Sequence, residues 1–361
     1  MKSHSTLKAI VSLLLIMSLA VFFAVGCSGN SGQNTNEPGD SEVATEYAPV
    51  ELNLCHFMSA MHPLHAQIFV PFAEAVEEKT EGRVKIYCYA SNELVAADKN
   101  YDAVLSGVID IGCTLPAYTP GYFPLTSILE FPFMFTSPMQ SNLTAGEFAR
   151  TNPILRETEY KDVELLWWGT TDLGHFLLKK PINGISDLKG MKMRSPSTVG
   201  NDVLNALGAV PITLPVSDTY DAIERSIVDG TMLPISTLIT FNLADVVSDV
   251  IEMNMYATPL HLVMNKSSWA KISPGDQQIM LDLLAEFPDK IGEVYTKEDA
   301  AGRQKANDSG IPIHVPSADE MQKFRDAVDP LVVKWLDDMN AKGVPGWDVY
   351  NQIKSIAEKY E

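Results

Sequence analysis

The residues of this chain that are best suited to chemistry lie in the stretch 186–235. There, Arg194 ends the short apolar segment 191–194, and a guanidinium is a rigid, permanently charged fork that matches a carboxylate. Two helical patterns alternate with three short apolar segments, which is typical of an open α/β sheet. Side chains at the carboxyl ends of strands in such sheets face the crevice where ligands bind. Arg194 is therefore a candidate binding residue for the carboxylate of a small organic acid.

Two α/β regions are predicted to position this arginine. In the first, residues 51–57, 83–90 and 109–115 have strand character and are separated by helical patterns. These connections are too long for hairpins, which favours parallel strands. The second region repeats the pattern across 191–233, with Asn201 and Ser217 as expected helix N-caps.

The folded body, about 310 residues from Val50 onward, is long for a single core, so we expect two lobes. Lobe I is assigned to residues 50–172 and 256–290, and lobe II to 173–255. Residues 291–361 are predicted to form long C-terminal helices that pack across both lobes, and Ser317 with Glu320 gives a capping box for one of them. A long helix is also predicted to begin after Ser273, with Ser273 as its cap and Pro274 at its first position.

The N-terminus has the features of an export signal. Lys2 and Lys8 precede an apolar stretch that ends in Ala24-Val25-Gly26-Cys27 and resembles the lipobox of bacterial lipoproteins. We therefore predict a lipoprotein signal peptide over 1–26 and a lipidated Cys27; an ordinary secretory signal or a retained anchor helix stay open. Residues 27–49, rich in Ser, Gly, Asn, Thr and Glu, are expected to be a flexible tether.

Composition excludes several classes of function. The formal charge is −19, and no basic stripe with interleaved aromatic residues is visible, so nucleic-acid binding is not expected. No CxxC, HExxH or Cys/His metal spacing occurs, and we expect no metal and no cofactor. Cys55, Cys88 and Cys113 lie in strand-like runs and are interpreted as small core residues, although a Cys55–Cys88 disulfide stays possible outside the cytoplasm.

Six stretches together carry a resemblance to a known family: FAEAVEEKTEGRVKIY, GVIDIG, ILEFPFMF, KKPINGISDLKGMKMRSP, LGAVPITLPVSDTYDAI and IVDGTMLP. In their order and spacing, the chain resembles the substrate-binding proteins of TRAP transporters, the tripartite ATP-independent periplasmic carriers, from about residue 50 to 274. The resemblance implies a two-lobed type II periplasmic-binding-protein fold that closes by hinge motion on an organic acid. It also implies partners, the integral membrane subunits of an ion-gradient-driven carrier.

The family arginine that binds the ligand carboxylate falls on Arg194. Many relatives have polar, acidic or aromatic residues at three other places in the site. This chain has apolar residues there: Leu173, Val216, and the pair Met232 and Leu233. Because a second buried carboxylate would have little to pair with, we favour a monocarboxylate with an apolar body over a diacid, and expect no metal ion in the cleft. A second polar contact from one of four other residues stays open: His62, His65, Lys99 or His175.

Further ligand contacts are predicted from position along the chain. Phe57 and Met58 follow the first strand, Tyr118 follows the third, and Trp168 and Thr171 lie near the crossing between lobes. Val216, Met232 and Leu233 complete the candidate site. For Trp168, a purely structural place in the core is an equally good interpretation.

Alternative functions differ in what they require of the sequence. A dicarboxylate-binding TRAP protein, or the binding protein of an ATP-driven importer or sensor, would share the same two-lobed shape. An exported enzyme would need a nucleophile and base, a metal cluster or a cofactor loop, and no GxSxG or GxGxxG is present. We therefore expect a binding protein and not an enzyme. We place it outside the cytoplasm, periplasmic or at the cell surface, and anchored by lipidated Cys27.

Overall fold

A computed structural model of the protein describes residues 47–361. The predicted signal peptide, Cys27 and nearly all of the predicted tether lie outside the described residues. Within 47–361, no helix combines the length and the apolar character needed to cross a membrane.

The described residues form ten strands. Numbered in chain order, they are β1 Val50–His56, β2 Val84–Tyr89, β3 Ile111–Thr114, β4 Val163–Leu178, β5 Lys192–Ser195, β6 Val210–Thr213, β7 Gly230–Pro234, β8 Asp249–Ile251, β9 Ala257–Asn265 and β10 Ile313–His314.

The same part of the chain forms twelve α-helices, and a π-helical segment, Leu64–Phe69, leads into the first of them. They are α1 Val70–Lys79, α2 Asn100–Leu105, α3 Pro138–Thr151, α4 Ile154–Glu157, α5 Thr198–Ala206, α6 Thr219–Glu224, α7 Thr237–Thr240, α8 Lys266–Trp269, α9 Pro274–Leu284, α10 Phe287–Asp308, α11 Ala318–Ala341 and α12 Gly346–Ala357.

One long strand, β4, connects two groups of strands in the order β2-β1-β3-β9-β4-β7-β5-β6. Its residues 163–173 pair antiparallel with β9, and with β1, β2 and β3 they make up what we call the first half sheet. Its residues 174–178 pair with β7 and β8, and with β5, β6 and β10 they make up the second half sheet. This mixed sheet covered by helices confirms the predicted α/β class.

The predicted parallel strands are confirmed in both half sheets. β1 lies between β2 and β3, parallel to each, and β5 lies between β6 and β7, parallel to each. The helix between β1 and β2 buries the apolar face that its spacing predicts, and Gly82 follows it with a left-handed φ of 80° that glycine adopts without strain.

Helix caps were predicted correctly at some positions and wrongly at others. Ser273 caps α9, and the capping box of Ser317 and Glu320 begins α11. The N-cap of α5 is Ser197 instead of Asn201, because the Ser197 hydroxyl accepts the Gly200 amide and so begins the helix earlier. The N-cap of α6 is Asp218, one residue after the expected Ser217.

Some elements lack a sequence signal. α3 buries polar side chains, so apolar periodicity does not indicate it. β8 and β10 have three and two residues, too few for an alternating pattern. The single long helix expected after Ser273 is two helices, with α10 beginning at Phe287.

The three described cysteines are free thiols. In the register of β1 and β2, Cys88 lies opposite Leu54 and Cys55 lies opposite Tyr89. Since successive side chains of a strand point to opposite faces, Cys55 and Cys88 lie on different faces of the sheet. Burial raises the pKa of Cys55 to about 11 and that of Cys88 to about 12, which fits the interpretation of core residues.

Gly174 in β4 permits the close approach of the Tyr256 ring to the β4 backbone. A Cβ atom at Gly174 would lie 2.1 Å from ring carbon Cε1 of Tyr256, whose side chain is buried. We expect Gly174→Ala to lower the free energy of unfolding in urea by about 1–3 kcal/mol because of this overpacking. The control is Gly275→Ala at the start of α9, where the nearest atom is 3.9 Å away. An equal loss in both variants would contradict the argument.

Candidate ligand-binding site

Arg194 lies near the carboxyl end of β5, between the parallel strands β6 and β7. Its side chain is fully buried, and its Nε donates a hydrogen bond of 3.0 Å to the carbonyl oxygen of Leu214. Neither terminal nitrogen, Nη1 nor Nη2, has a hydrogen-bond partner among the described residues. A buried guanidinium with its fork unpaired is costly, so these nitrogens are a strong binding point for an anion.

Arg194 forms part of the wall of a cavity between the two half sheets. The cavity holds about 500 Å³ of space not filled by protein atoms, including space open to solvent. Six residues proposed from the sequence lie in its wall: Phe57, Met58, Thr171, Arg194, Val216 and Leu233. The structure thus brings together residues that are far apart along the chain.

Three other proposed residues do not line this cavity. Tyr118 lies beside two wall residues: its ring is 6.1 Å from that of Phe57 between centroids, and the charge of Arg194 opposes the rise that burial causes in the pKa of Tyr118. Trp168 is buried against Phe148, with ring centroids 5.7 Å apart. Met232 belongs to the opposite face of β7 from Leu233, since adjacent strand residues alternate, and it lines a different, smaller cavity.

Several wall residues were not proposed from the sequence. They comprise apolar and hydroxyl side chains and one carboxyl group: Leu115, Asp172, Pro196, Pro234, Ser236, Thr237, Thr240, Phe241, Thr258, Leu260 and Tyr295. The sequence indicated Asp172 only weakly as a site residue, through the presence of an acid inside an otherwise apolar strand. The others come from strands β7 and β9, from loops, and from the segments of α7 and α10, and their approach to the cavity depends on tertiary packing.

A β-bulge turns β4 toward the cavity. The pairing of β4 with β9 shifts between Thr170 and Leu173, so β4 has one more residue than β9 there. The Thr171 hydroxyl accepts the amide of Thr258, and the Asp172 side chain is fully enclosed. Bulges often redirect side chains next to binding sites, and here both bulge residues line the cavity.

Asp172 is a buried acid in this wall. Burial raises its pKa to about 8, the Ser236 side chain opposes the rise, and the negative charge of Asp299 adds to it. Its Oδ2 atom has no hydrogen-bond partner among the described residues. At neutral pH the Asp172 carboxyl is therefore mainly uncharged.

The cavity wall carries a single net positive charge. Burial lowers the pKa of His62 to about 4 and raises the pKa of Tyr295 well above its usual value, so both are neutral at pH 7, as Asp172 mainly is. The Arg194 guanidinium stays charged in proteins. This balance favours a ligand with one negative charge.

Of the four residues considered for a second polar contact, only His62 lines the cavity. His65 bonds to His56 at 2.9 Å, and exposed Lys99 pairs with Asp98 at 3.2 Å. Nδ1 of His175 accepts the amides of Met253 and Asn254. Within residues 47–361 no group of three or more His, Cys, Asp or Glu residues could hold a metal ion.

Two polar contacts connect segments of the two half sheets next to the cavity. The Tyr118 hydroxyl, after β3, accepts the Val216 amide at 2.9 Å. The Ser197 hydroxyl, at the start of α5, donates to Oε1 of Glu130 at 2.6 Å, and burial raises the pKa of Glu130 to about 8. Both contacts join the two half sheets, and the first includes the wall residue Val216.

Residues 54–338 match a family model described as bacterial extracellular solute-binding protein, family 7. The chain belongs to this family. The resemblance to TRAP solute-binding proteins, together with the two-lobed type II fold that it implies, is confirmed. Since the family consists of extracytoplasmic solute-binding proteins, the protein is a binding protein and not an enzyme. The expected boundaries of its lobes stay a prediction.

Solved structures and curated relatives give the same assignment. A TRAP solute-binding protein from Rhodoferax ferrireducens, with copurified benzoate, has 28% identity and a TM-score of 0.80, covering 86% of this chain and 98% of its own. A marine metagenome TRAP protein specific for aromatic acids, with 3-hydroxybenzoate, has 26% identity and a TM-score of 0.81, covering 87% and 99%. The C4-dicarboxylate-binding periplasmic protein DctP of Rhodobacter capsulatus is 24% identical, covering 72% of this chain and 79% of its own.

The buried acids of this solute-binding protein predict a pH-dependent stability. Asp172 and Glu130, each with a pKa raised to about 8, keep protons that the unfolded chain releases, so stability falls as pH rises toward 8. Each contributes a slope of up to about 1.4 kcal/mol per pH unit. We expect Asp172→Asn and Glu130→Gln to flatten the decline in free energy of unfolding between about pH 6.5 and 8.5.

The pH window avoids the buried histidines, whose lowered pKa values affect stability only below about pH 6.5. Glu78→Gln, at an exposed position, is the control and should leave the slope unchanged. Unchanged slopes in both buried-site variants would show that these acids are ionised in the folded protein.

The contact between Tyr118 and Val216 can be tested by removing one hydroxyl group. Tyr118→Phe leaves the buried Val216 amide without its acceptor and should lower the free energy of unfolding by about 1–3 kcal/mol. Tyr122→Phe is the matched control because the Tyr122 ring is 55% exposed. Urea unfolding of both variants measures the effect, and equal stabilities would rule out a contribution from the hydrogen bond.

Proposed function

We propose that the protein captures a small monocarboxylate with an apolar body and delivers it to a TRAP-type carrier. The ligand carboxylate pairs with Nη1 and Nη2 of Arg194. The observation that carries this proposal is the fully buried guanidinium whose terminal nitrogens have no partner among the described residues. A carboxylate satisfies both nitrogens at once through two parallel, charge-assisted hydrogen bonds.

The rest of the wall supports an apolar ligand body. Four buried or partly buried apolar side chains from both half sheets surround the cavity: Phe57, Leu115, Leu233 and Leu260. Burial of apolar ligand surface against them supplies favourable free energy of about 25 cal/mol per Å². An aromatic, branched or alicyclic acid meets these requirements, and benzoate and 3-hydroxybenzoate in two similar proteins are acids of this kind.

The charge of the wall supports one carboxylate over two. A second carboxylate would find no second cation in the wall, where His62 is neutral at pH 7 and Asp172 is an acid. Burying such a charge without a partner is costly. A dicarboxylate stays the alternative because one relative is named for C4-dicarboxylates.

A lipid anchor would hold the protein at the outer side of a membrane, near the carrier to which it delivers its ligand. The lipobox-like segment before Cys27 supports a lipid anchor, and the following tether would let the folded body reach the carrier. The partners on this proposal are the TRAP integral membrane subunits. Mass spectrometry of the purified full-length protein would detect the lipid on Cys27, and an unmodified N-terminal peptide would contradict the anchor.

The ligand can be identified by mass spectrometry of small molecules released when the purified protein is denatured. We expect a monocarboxylic acid at close to one molecule per protein. Titration calorimetry would then compare that acid, benzoate, isobutyrate and succinate. Tighter binding of succinate than of the monocarboxylates would favour the dicarboxylate alternative.

Variants of Arg194 test the site itself. Arg194→Ala should weaken binding of the identified acid by about 30-fold or more, because a buried charge pair is lost. Arg194→Lys should also bind poorly, since an ammonium group cannot form the two parallel bonds. Arg225→Ala, at an exposed position outside the cavity, is the matched control. Wild-type affinity in Arg194→Ala, with an unchanged thermal unfolding curve, would disprove the assignment.

A further inference from the structure

The cavity wall has two polar binding points instead of one. Its buried side-chain atoms without a hydrogen-bond partner among the described residues are Nη1 and Nη2 of Arg194 and Oδ2 of Asp172. Buried polar atoms in folded proteins are nearly always paired. In the proposed function, the ligand carboxylate pairs with the two nitrogens of Arg194. The Asp172 oxygen is then still without a hydrogen-bond partner.

Three hydroxyl groups in the wall already bond to backbone atoms. The Thr171 hydroxyl donates to the backbone oxygen of its neighbour at 2.9 Å and accepts the Thr258 amide. The hydroxyls of Thr237 and Thr240 donate to backbone oxygens at 2.6 and 3.2 Å. The Ser236 side chain interacts with the Asp172 carboxyl but leaves Oδ2 without a partner. Asp172 therefore has hydrogen-bonding capacity in the wall of this cavity that no described residue uses.

We propose that Asp172 recognises a hydroxyl group on the body of the ligand, so that the natural ligand is a hydroxylated monocarboxylate. This inference rests on the proposed function, in which Arg194 holds the carboxylate. A hydroxyl is both donor and acceptor, and a carboxyl can receive its hydrogen bond in either protonation state. Recognition of a substituent at a buried polar group gives strong selection against ligands that lack it.

The surroundings of Asp172 favour a neutral partner over a charged one. From α10, Asp299 and Glu298 act on it with negative charge, and Tyr295 packs nearby in neutral form. Tyr256, also neutral, lies close enough to be affected by its charge. His175, on the same strand, lies 4.0 Å from Asp299. Burial, together with the negative charges of Asp299 and Glu298, holds the Asp172 carboxyl largely protonated at neutral pH, which disfavours a second carboxylate and gives little attraction for an ammonium group.

Matched pairs of acids test the inference in the wild-type protein. Titration calorimetry at about pH 7 would compare benzoate with 2-, 3- and 4-hydroxybenzoate, and isobutyrate with 2-hydroxyisobutyrate. Moving the hydroxyl around the ring samples different distances from the carboxylate. We expect at least one hydroxylated acid to bind about tenfold or more tightly than its parent. If no hydroxylated acid binds more tightly than its parent, the inference is wrong.

Two substitutions connect the preference to this side chain. Asp172→Leu, of similar size, removes the polar group and should bind the preferred hydroxylated acid and its parent with equal affinity. Asp172→Asn keeps a neutral hydrogen-bonding group and should retain most of the preference, which holds the test open if the leucine variant fails to fold. A preference that survives in Asp172→Leu, or an equal loss for both acids, would overturn the inference, since equal loss indicates contact with the carboxylate.

Failure of this inference can be told apart from failure of the proposed function. If the wild-type protein binds the parent acids and loses them in Arg194→Ala, the function stands whatever Asp172 does. If it binds none of the monocarboxylates, both proposals fail.

Discussion

The backbone pairing of β4 is the interaction on which the rest of the structure depends. A single strand of 16 residues pairs first with β9 and then with β7, so both half sheets share one continuous element. The change of partner requires the chain to leave one ladder and enter the next. It does so through the bulge at Thr171 and Asp172 and through Gly174, whose lack of a side chain leaves room for the ring of Tyr256. The place where the sheets meet is therefore also the place where side chains turn into the cavity.

The cavity combines one permanent charge with acids that burial keeps largely neutral. Arg194 is held by a single bond from Nε to a backbone oxygen, which fixes the direction of its fork without neutralising it. Asp172 lines the same cavity and is kept protonated by burial and by Asp299. With Asp172 uncharged, Arg194 supplies the net charge of the wall. Desolvation thus maintains the positive charge that an anionic ligand requires.

Ligand binding and the contact between the half sheets are physically coupled in this arrangement. Tyr118 bonds to Val216, Glu130 bonds to Ser197, and both pairs join segments of different half sheets next to the cavity. A ligand that touches both sides of the cavity stabilises the same closed arrangement as these bonds. In a binding protein such differential stabilisation of one arrangement is what allows a small molecule to shift the population between open and closed forms.

The sequence by itself determined the α/β class, the parallel strands, several helix caps, the family and the candidate role of Arg194, because these follow from local periodicity, capping chemistry and motif spacing. Tertiary structure alone decided which face of each strand meets the cavity. Leu233 lines it and adjacent Met232 does not, because the pleat of β7 separates them. Only tertiary structure brought Tyr118 beside Val216 and Arg194, buried Trp168 against Phe148 and brought α10 beside Asp172. A bulge and a packed helix leave no periodic signal in the sequence, since both depend on contacts between distant segments.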